Sequence, residues 1–159
     1  MKKISALALL SLSLLPGLGL AESHGPDTVV QVTEKIEWIY AQTRANTESP
    51  ADQVSAEGSL EFWSNGGLLN RARPGVAPRD WQSFNLHPKH IEVVSLTEGQ
   101  VALAMYYLEG SMQPAGYPPV SHYLTRVTEV YVNEDGAWKR RAAHWSAITG
   151  GGGTSQSAE

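Results

Sequence analysis

The hydrophobic period of this chain changes once along its length, and that change constrains the fold more than any other feature. From Asp27 to Asn46 the side chains Val29, Val32, Ile36, Ile39 with Tyr40, and Thr43 recur at helical spacing and define one face. From His90 onward the period is two. Strands are expected at His90–Thr97, Gln100–Glu109, Val120–Val132 and Ala137–Thr149, with turn signals at Glu98-Gly99 and Asn133–Gly136. A long helix that must bury a stripe, followed by an antiparallel meander, defines the α+β class.

Between these regions the signals are shorter. Thr28 and Gln31 fit a capping box that closes the first turn of the long helix. Ser49-Pro50-Ala51-Asp52 reads as the start of a second, short helix ending before Gly58. Ser59–Ser64 reads as a short strand and Asn65-Gly66-Gly67 as a turn. Arg71–Pro78 reads as irregular, and Pro78–Phe84 as one or two helical turns.

The two ends lie outside this pattern. Residues 1–21 carry the basic pair Lys2-Lys3, an apolar run Ile4–Leu15, a Pro16-Gly17 break and small residues before Ala21. That is the layout of a secretory signal peptide cut after Ala21. The apolar run is shorter than the roughly 20 residues a membrane span needs. The expected product has 138 residues, is periplasmic or secreted, and has no membrane segment after cleavage. Gly150–Gly153 and the polar residues after them, 150–159, read as a flexible tail, leaving one domain over residues 22–149.

Composition narrows the function classes. The chain has no cysteine, which excludes a disulfide scaffold, a thiolate metal site and a cysteine nucleophile. Its formal charge is −4, and −6 after loss of Lys2 and Lys3, which argues against nucleic acid as a partner. No phosphate-binding glycine loop, G-x-S-x-G or H-E-x-x-H motif occurs, and no cofactor is expected. His87 and His90 are the only histidines close in sequence. Their spacing on a strand gives opposed rings, so no metal site is expected.

The run Arg126–Val132, the Asn133–Trp138 turn region and His144-Trp145-Ser146 resemble the last hairpin of SnoaL-like proteins of the nuclear transport factor 2-like superfamily. Phe62–Gly67 resembles that family's first strand and turn. The resemblance spans about residues 26–148. It implies a cone-shaped, curved antiparallel sheet wrapped around the N-terminal long helix and short helices (a nuclear transport factor 2-like, cystatin-like α+β barrel) with a pocket on the concave side. It also implies dimerisation through the convex face. Family functions range from isomerisation, dehydration and cyclisation to simple binding, so the fold alone does not choose among them.

In Gln100–Leu108 both faces are apolar: Val101, Leu103, Met105 and Tyr107 on one, Ala102, Ala104, Tyr106 and Leu108 on the other. One face can pack on the helix, and a second copy of the chain is the simplest cover for the other, giving a homodimer. In the last strand, Lys139 and Arg141 mark the solvated face. Trp138, Arg140, Ala142, His144 and Ser146 are therefore expected inward, and Trp145 outward on the dimer surface.

His144 is then the leading candidate for a catalytic acid or base, with Arg126 and Thr128 on the neighbouring strand placed to hold a carboxylate or oxyanion. A satisfied polar network of His144, Arg126 and Ser146 is the alternative. Tyr40, Trp63 and Tyr106 are expected to line the pocket beside Arg126, Thr128, His144 and Ser146, suiting a small apolar or aromatic ligand. The Gly110–Pro119 loop is a candidate lid, with Met112 and Tyr117 pointing down. The isomerase and hydrolase members resembled here use pocket aspartates. The mature chain's Asp27, Asp52, Asp80 and Asp135 all fall at helix starts or turns, and Glu61 and Glu129 are expected on solvent-facing strand positions.

Three functions follow: an exported domain binding a small molecule in its cone, a lyase, isomerase or cyclase using His144, or a dimeric interaction domain with a collapsed pocket.

Overall fold

The computed structural model describes residues 27–77 and 80–148. The expected signal peptide, the glycine tail and the Pro78-Arg79 start of the expected helical turn lie outside the described residues.

Helix α1 spans Thr28–Asn46 and buries Val32, Ile36, Ile39, Tyr40 and Thr43, the stripe read from the sequence, while Val29 at its upper end is exposed. The expected capping box is replaced by a different set of partners. Asp27 is the N-cap, and its carboxylate accepts from the Val29 amide at 3.0 Å. That releases Thr28, whose hydroxyl donates to Glu98 Oε1 at 2.6 Å and accepts from the Gly99 amide at 2.8 Å. Gln31 accepts from the Trp138 indole at 2.9 Å. The helix start is therefore tied to the turn after the third strand and to the last strand.

The expected second helix shrinks to one 3-10 turn, Ala51–Gln53. Among the described residues six strands follow: β1 (Ser59–Phe62), β2 (Asn70–Ala72), β3 (Trp81–Thr97), β4 (Val101–Pro114), β5 (Val120–Glu134) and β6 (Ala137–Ala147). They form one sheet in the order β2-β1-β6-β5-β4-β3. Every pairing is antiparallel except β1 with β6, which is parallel, so the sheet is mixed rather than purely antiparallel. It curves without closing, so it is an open cone rather than a barrel, with β2 and β3 as its edges.

β3 is much longer than its sequence signal. Trp81–Phe84 is strand, not helix, paired with β4, and Gln82 is an extra residue opposite the Pro114–Gln113 step. This bulge puts Trp81 and Phe84 on one face with ring centroids 4.9 Å apart, which mimics helical spacing in the sequence. Pro88 hides the strand's middle, yet a proline is tolerated there because β3 is an edge. β4 likewise runs through the first half of the expected 110–119 loop. Gly110 permits this with φ 139, where a β-carbon would stand 2.0 Å from the Asn85 carbonyl oxygen.

The core forms where α1 lies across the concave face. Val32, Ile36 and Tyr40 pack with Leu86, Ala102, Ala104, Tyr106, Leu108, Val127, Tyr131 and Trp138. The other face of the same strands stays open. Met105 is 53% and Phe62 48% exposed, with Leu60, Leu96 and Tyr107 also exposed.

Candidate functional site

One bulge decides which side chains of β6 face the hollow. Tyr131 of β5 pairs with Arg140 and Val130 with Ala142, so Arg141 is an extra residue. Because side chains alternate with period two, a single insertion exchanges the faces beyond it. Trp138 and Arg140 point inward as expected. After the bulge, Ala143 and Trp145 take the inward positions, and Ala142, His144 and Ser146 turn out.

The expected pocket therefore divides. Tyr40 and Trp63 line the hollow, and Tyr106 lies buried directly behind Tyr40. His144, Arg126, Thr128 and Ser146 stand together on the convex face instead. Thr128 is registered with His144 and Arg126 with Ser146. His144 and Arg126 are exposed, and the His144 ring meets Phe62 edge-on at 5.8 Å. Trp145, expected on the outer surface, is a wall of the hollow. The outward turn of Arg126 and Thr128 has the same origin as the burial of Thr125, Val127, Glu129 and Tyr131, the alternate set on β5.

The hollow has a volume of about 490 Å³. α1 contributes Tyr40 and Thr43, β3 contributes Phe84 and Leu86, and β6 contributes Arg140 and Trp145. Trp63 and Tyr123 close one side, while Met112 and Tyr117 cover it from the end of β4 and the turn beyond, the side chains read as a lid. Tyr40 stacks on Phe84 at 6.3 Å.

At its floor lies a charged cluster of Arg140, expected inward, with Glu61 and Glu129, two acids expected on the solvent side. Arg140 is 5%, Glu61 1% and Glu129 2% exposed. Arg140 Nε and Nη2 reach Glu61 Oε1 at 3.0 and 2.9 Å, and Nη1 reaches Gln53 Oε1 at 3.1 Å and Glu129 Oε1 at 3.5 Å. Glu61 also accepts from the Trp63 indole at 2.9 Å. The Tyr106 and Tyr131 hydroxyls donate to Glu129 Oε2 at 3.0 and 2.8 Å, and Tyr40 contacts Tyr106, oxygen to oxygen, at 2.9 Å. Charges this deep persist only when paired and hydrogen-bonded.

The cluster shifts its own titrations. Burial raises the Glu129 carboxyl above the usual carboxylate range, against the pull of Arg140 and the two tyrosine hydroxyls. Burial followed by the Glu129 charge pushes Tyr40, Tyr106 and Tyr131 upward. For Arg140 burial works against the cation, yet Glu129 and Glu61 outweigh it and its pKa rises. One sequence signal pointed here: an arginine already assigned inward, on the strand beside Val127-x-Glu129-x-Tyr131, needs a buried acid.

Among the described residues, no group of three or more histidines or carboxylates is placed to hold a metal ion. Asp27 caps α1, Asp52 pairs with Lys139 at 3.4 Å and Asp135 occupies a turn with φ 54, so these three aspartates have the capping and surface roles read from the sequence.

No family model and no curated protein matches the chain. Solved structures do. A putative calcium/calmodulin-dependent kinase II association domain from Exiguobacterium sibiricum 255-15 is 13% identical with a TM-score of 0.54, covering 77% of this chain and 94% of its own. The kinase II hub homology domain of Chlamydomonas reinhardtii is 18% identical with a TM-score of 0.54, covering 76% and 98%. A nuclear transport factor 2-like protein of unknown function from Pseudomonas putida KT2440 is 15% identical with a TM-score of 0.50, covering 74% and 84%. At these identities the likeness is one of architecture: a long helix laid across a curved, open sheet. This chain has the nuclear transport factor 2-like fold.

Proposed function

We propose that the chain is an exported, SnoaL-like domain that binds a small apolar or aromatic molecule in the hollow between α1 and the sheet. The observation that carries this reading is the hollow itself: about 490 Å³, walled by aromatic side chains and reached past Met112 and Tyr117. That size and lining match small-molecule sites in general. Residues 1–21 support export, which N-terminal sequencing of the secreted product tests: a chain beginning at Glu22 is expected, and one retaining Met1 overturns export.

Binding is tested with a solvatochromic neutral dye such as Nile red. Val120 lines the mouth, and Val120→Trp narrows it. The variant is expected to lose dye binding at unchanged melting temperature, while His144→Ala, on the far side of the sheet, binds as wild type. Loss of binding in His144→Ala alone moves the site to the convex face.

A second reading concerns assembly. Leu60, Phe62, Met105 and Tyr107 leave apolar surface on the convex face, and two of the similar structures are described as association or hub domains. Two copies of this chain joined through that face would bury it. Sedimentation at micromolar concentration is expected to give a dimer, and Met105→Asp a monomer of unchanged fold. A monomeric wild type overturns this reading.

A further inference from the structure

The direction of each hydrogen bond in the floor fixes what the hollow offers a ligand. Tyr106 has one hydroxyl proton, and it goes to Glu129 Oε2. The contact of 2.9 Å between Tyr40 and Tyr106 must then use the proton of Tyr40. Tyr40, at the wall, is left with only its oxygen lone pairs to present, and the Trp145 indole donates to that oxygen. The other indoles of the wall also have acceptors within the protein: Trp63 donates to Glu61 at 2.9 Å and Trp81 to Ser49 at 3.4 Å. Arg140 directs its Nε and both terminal nitrogens at Glu61, Gln53 and Glu129.

Around Tyr40, Trp63 and Trp145 the wall thus presents aromatic faces and acceptor oxygens, while side chains able to donate, among them Gln53, Ser64 and Asn65, line other parts of the hollow. Its formal charge has the same sign, since two buried carboxyl groups face one guanidinium. An anionic ligand would meet the Glu61 carboxylate beside Arg140, the only cation among the described residues that line the hollow, and would have to displace Glu61 from it. A cation would meet ring faces and the free lone pairs of Glu61 and Tyr40.

Resting on the ligand-binding reading above, we propose that the hollow is selective for an organic cation, a small arylalkyl amine or quaternary ammonium, seated among Tyr40, Trp63 and Trp145 with its charge toward Glu61. The Arg140 guanidinium, 5.2 Å from the Trp145 ring centre, already uses that ring as a cation platform from one side. Aromatic walls bind alkylammonium groups by the same attraction, and strengthen it when water is excluded. The raised titration of Glu129 fits the same picture, because a further positive charge nearby would relieve its burial.

Three probes of one size test the proposal by competition with the dye at neutral pH: benzyltrimethylammonium, its uncharged isostere neopentylbenzene, and phenylacetate. The ammonium is expected to bind at least tenfold more tightly than the isostere, and phenylacetate to compete weakest. Glu61→Gln, with its fold checked by circular dichroism, is expected to erase the ammonium's advantage over neopentylbenzene. The wild-type ranking stands as a test even if that variant fails to fold. Equal or tighter binding of neopentylbenzene or phenylacetate overturns cation selectivity while leaving the hollow a binding site. Failure of the dye and all three probes to bind overturns both readings.

Discussion

The two faces of strands β5 and β6 carry similar residue types and have opposite physical situations. Inward, Arg140 meets Glu61, Gln53 and Glu129 with almost no exposure to water. Outward, Arg126 and His144 stand in solvent beside Phe62, Tyr107 and Met105. An arginine on one face is held by a buried network; an arginine on the other is a surface cation on an apolar field. Residue type alone does not distinguish a site from a surface here. The number of residues between two strand positions does.

The sharpest way to break the comparison is to remove one arginine from each face. Arg140→Met leaves Glu61 and Glu129 buried without their partner and is expected to cost about 3–5 kcal/mol of stability. Arg126→Met is expected to stay within about 0.5 kcal/mol. Chemical denaturation of both variants checks this, and equal losses would contradict the assignment of faces. Next in size is Gly110→Ala, whose β-carbon would collide with the Asn85 carbonyl at a backbone conformation few residues adopt, at a cost of about 1–3 kcal/mol. Gly99→Ala, also at positive φ but with open space around it, is expected to cost less.

The smallest effect is one of pH, and its sign differs between inside and outside. Burial raises the folded pKa of Glu129 above its unfolded value, so its contribution is full in acid and is lost as pH rises through the folded pKa. The Ser55 hydroxyl and then the Ala56 amide lower the folded pKa of Glu134, so its contribution is present above the usual carboxylate range and is lost as pH falls through the depressed value. Stability measured against pH should therefore change in opposite ways. Glu129→Gln is expected to flatten the decline on the alkaline side of the carboxylate range, and Glu134→Gln the decline on the acid side. A shared direction would contradict the burial of Glu129.

Much of the architecture was legible in the sequence. The helical stripe of α1, the meander and the apolar character of both faces of β4 follow from period alone, and so does the order of long helix first and meander last, whereas β2 lies where the sequence reads as irregular. What escaped has a common cause. At Gln82 and at Arg141 a single extra residue opposes the partner strand. The first bulge makes a strand read as a helix, and the second exchanges His144 for Trp145 in the hollow. A bulge is set by what the strand pairs with, and alternation within one strand carries no record of the neighbour's register. The buried acids escaped for a related reason. Glu61 and Glu129 are tolerable inside only because Arg140 comes to them from another strand, 79 and 11 residues away.

The most direct measurement follows nuclear magnetic resonance signals from both faces while Nile red is added. Binding in the hollow is expected to shift the indole N–H resonances of Trp63 and Trp145 at saturating dye and to leave the His144 ring resonances in place. Movement of the His144 ring with unmoved indoles would contradict a hollow between the helix and the sheet as the place where this protein meets its ligand.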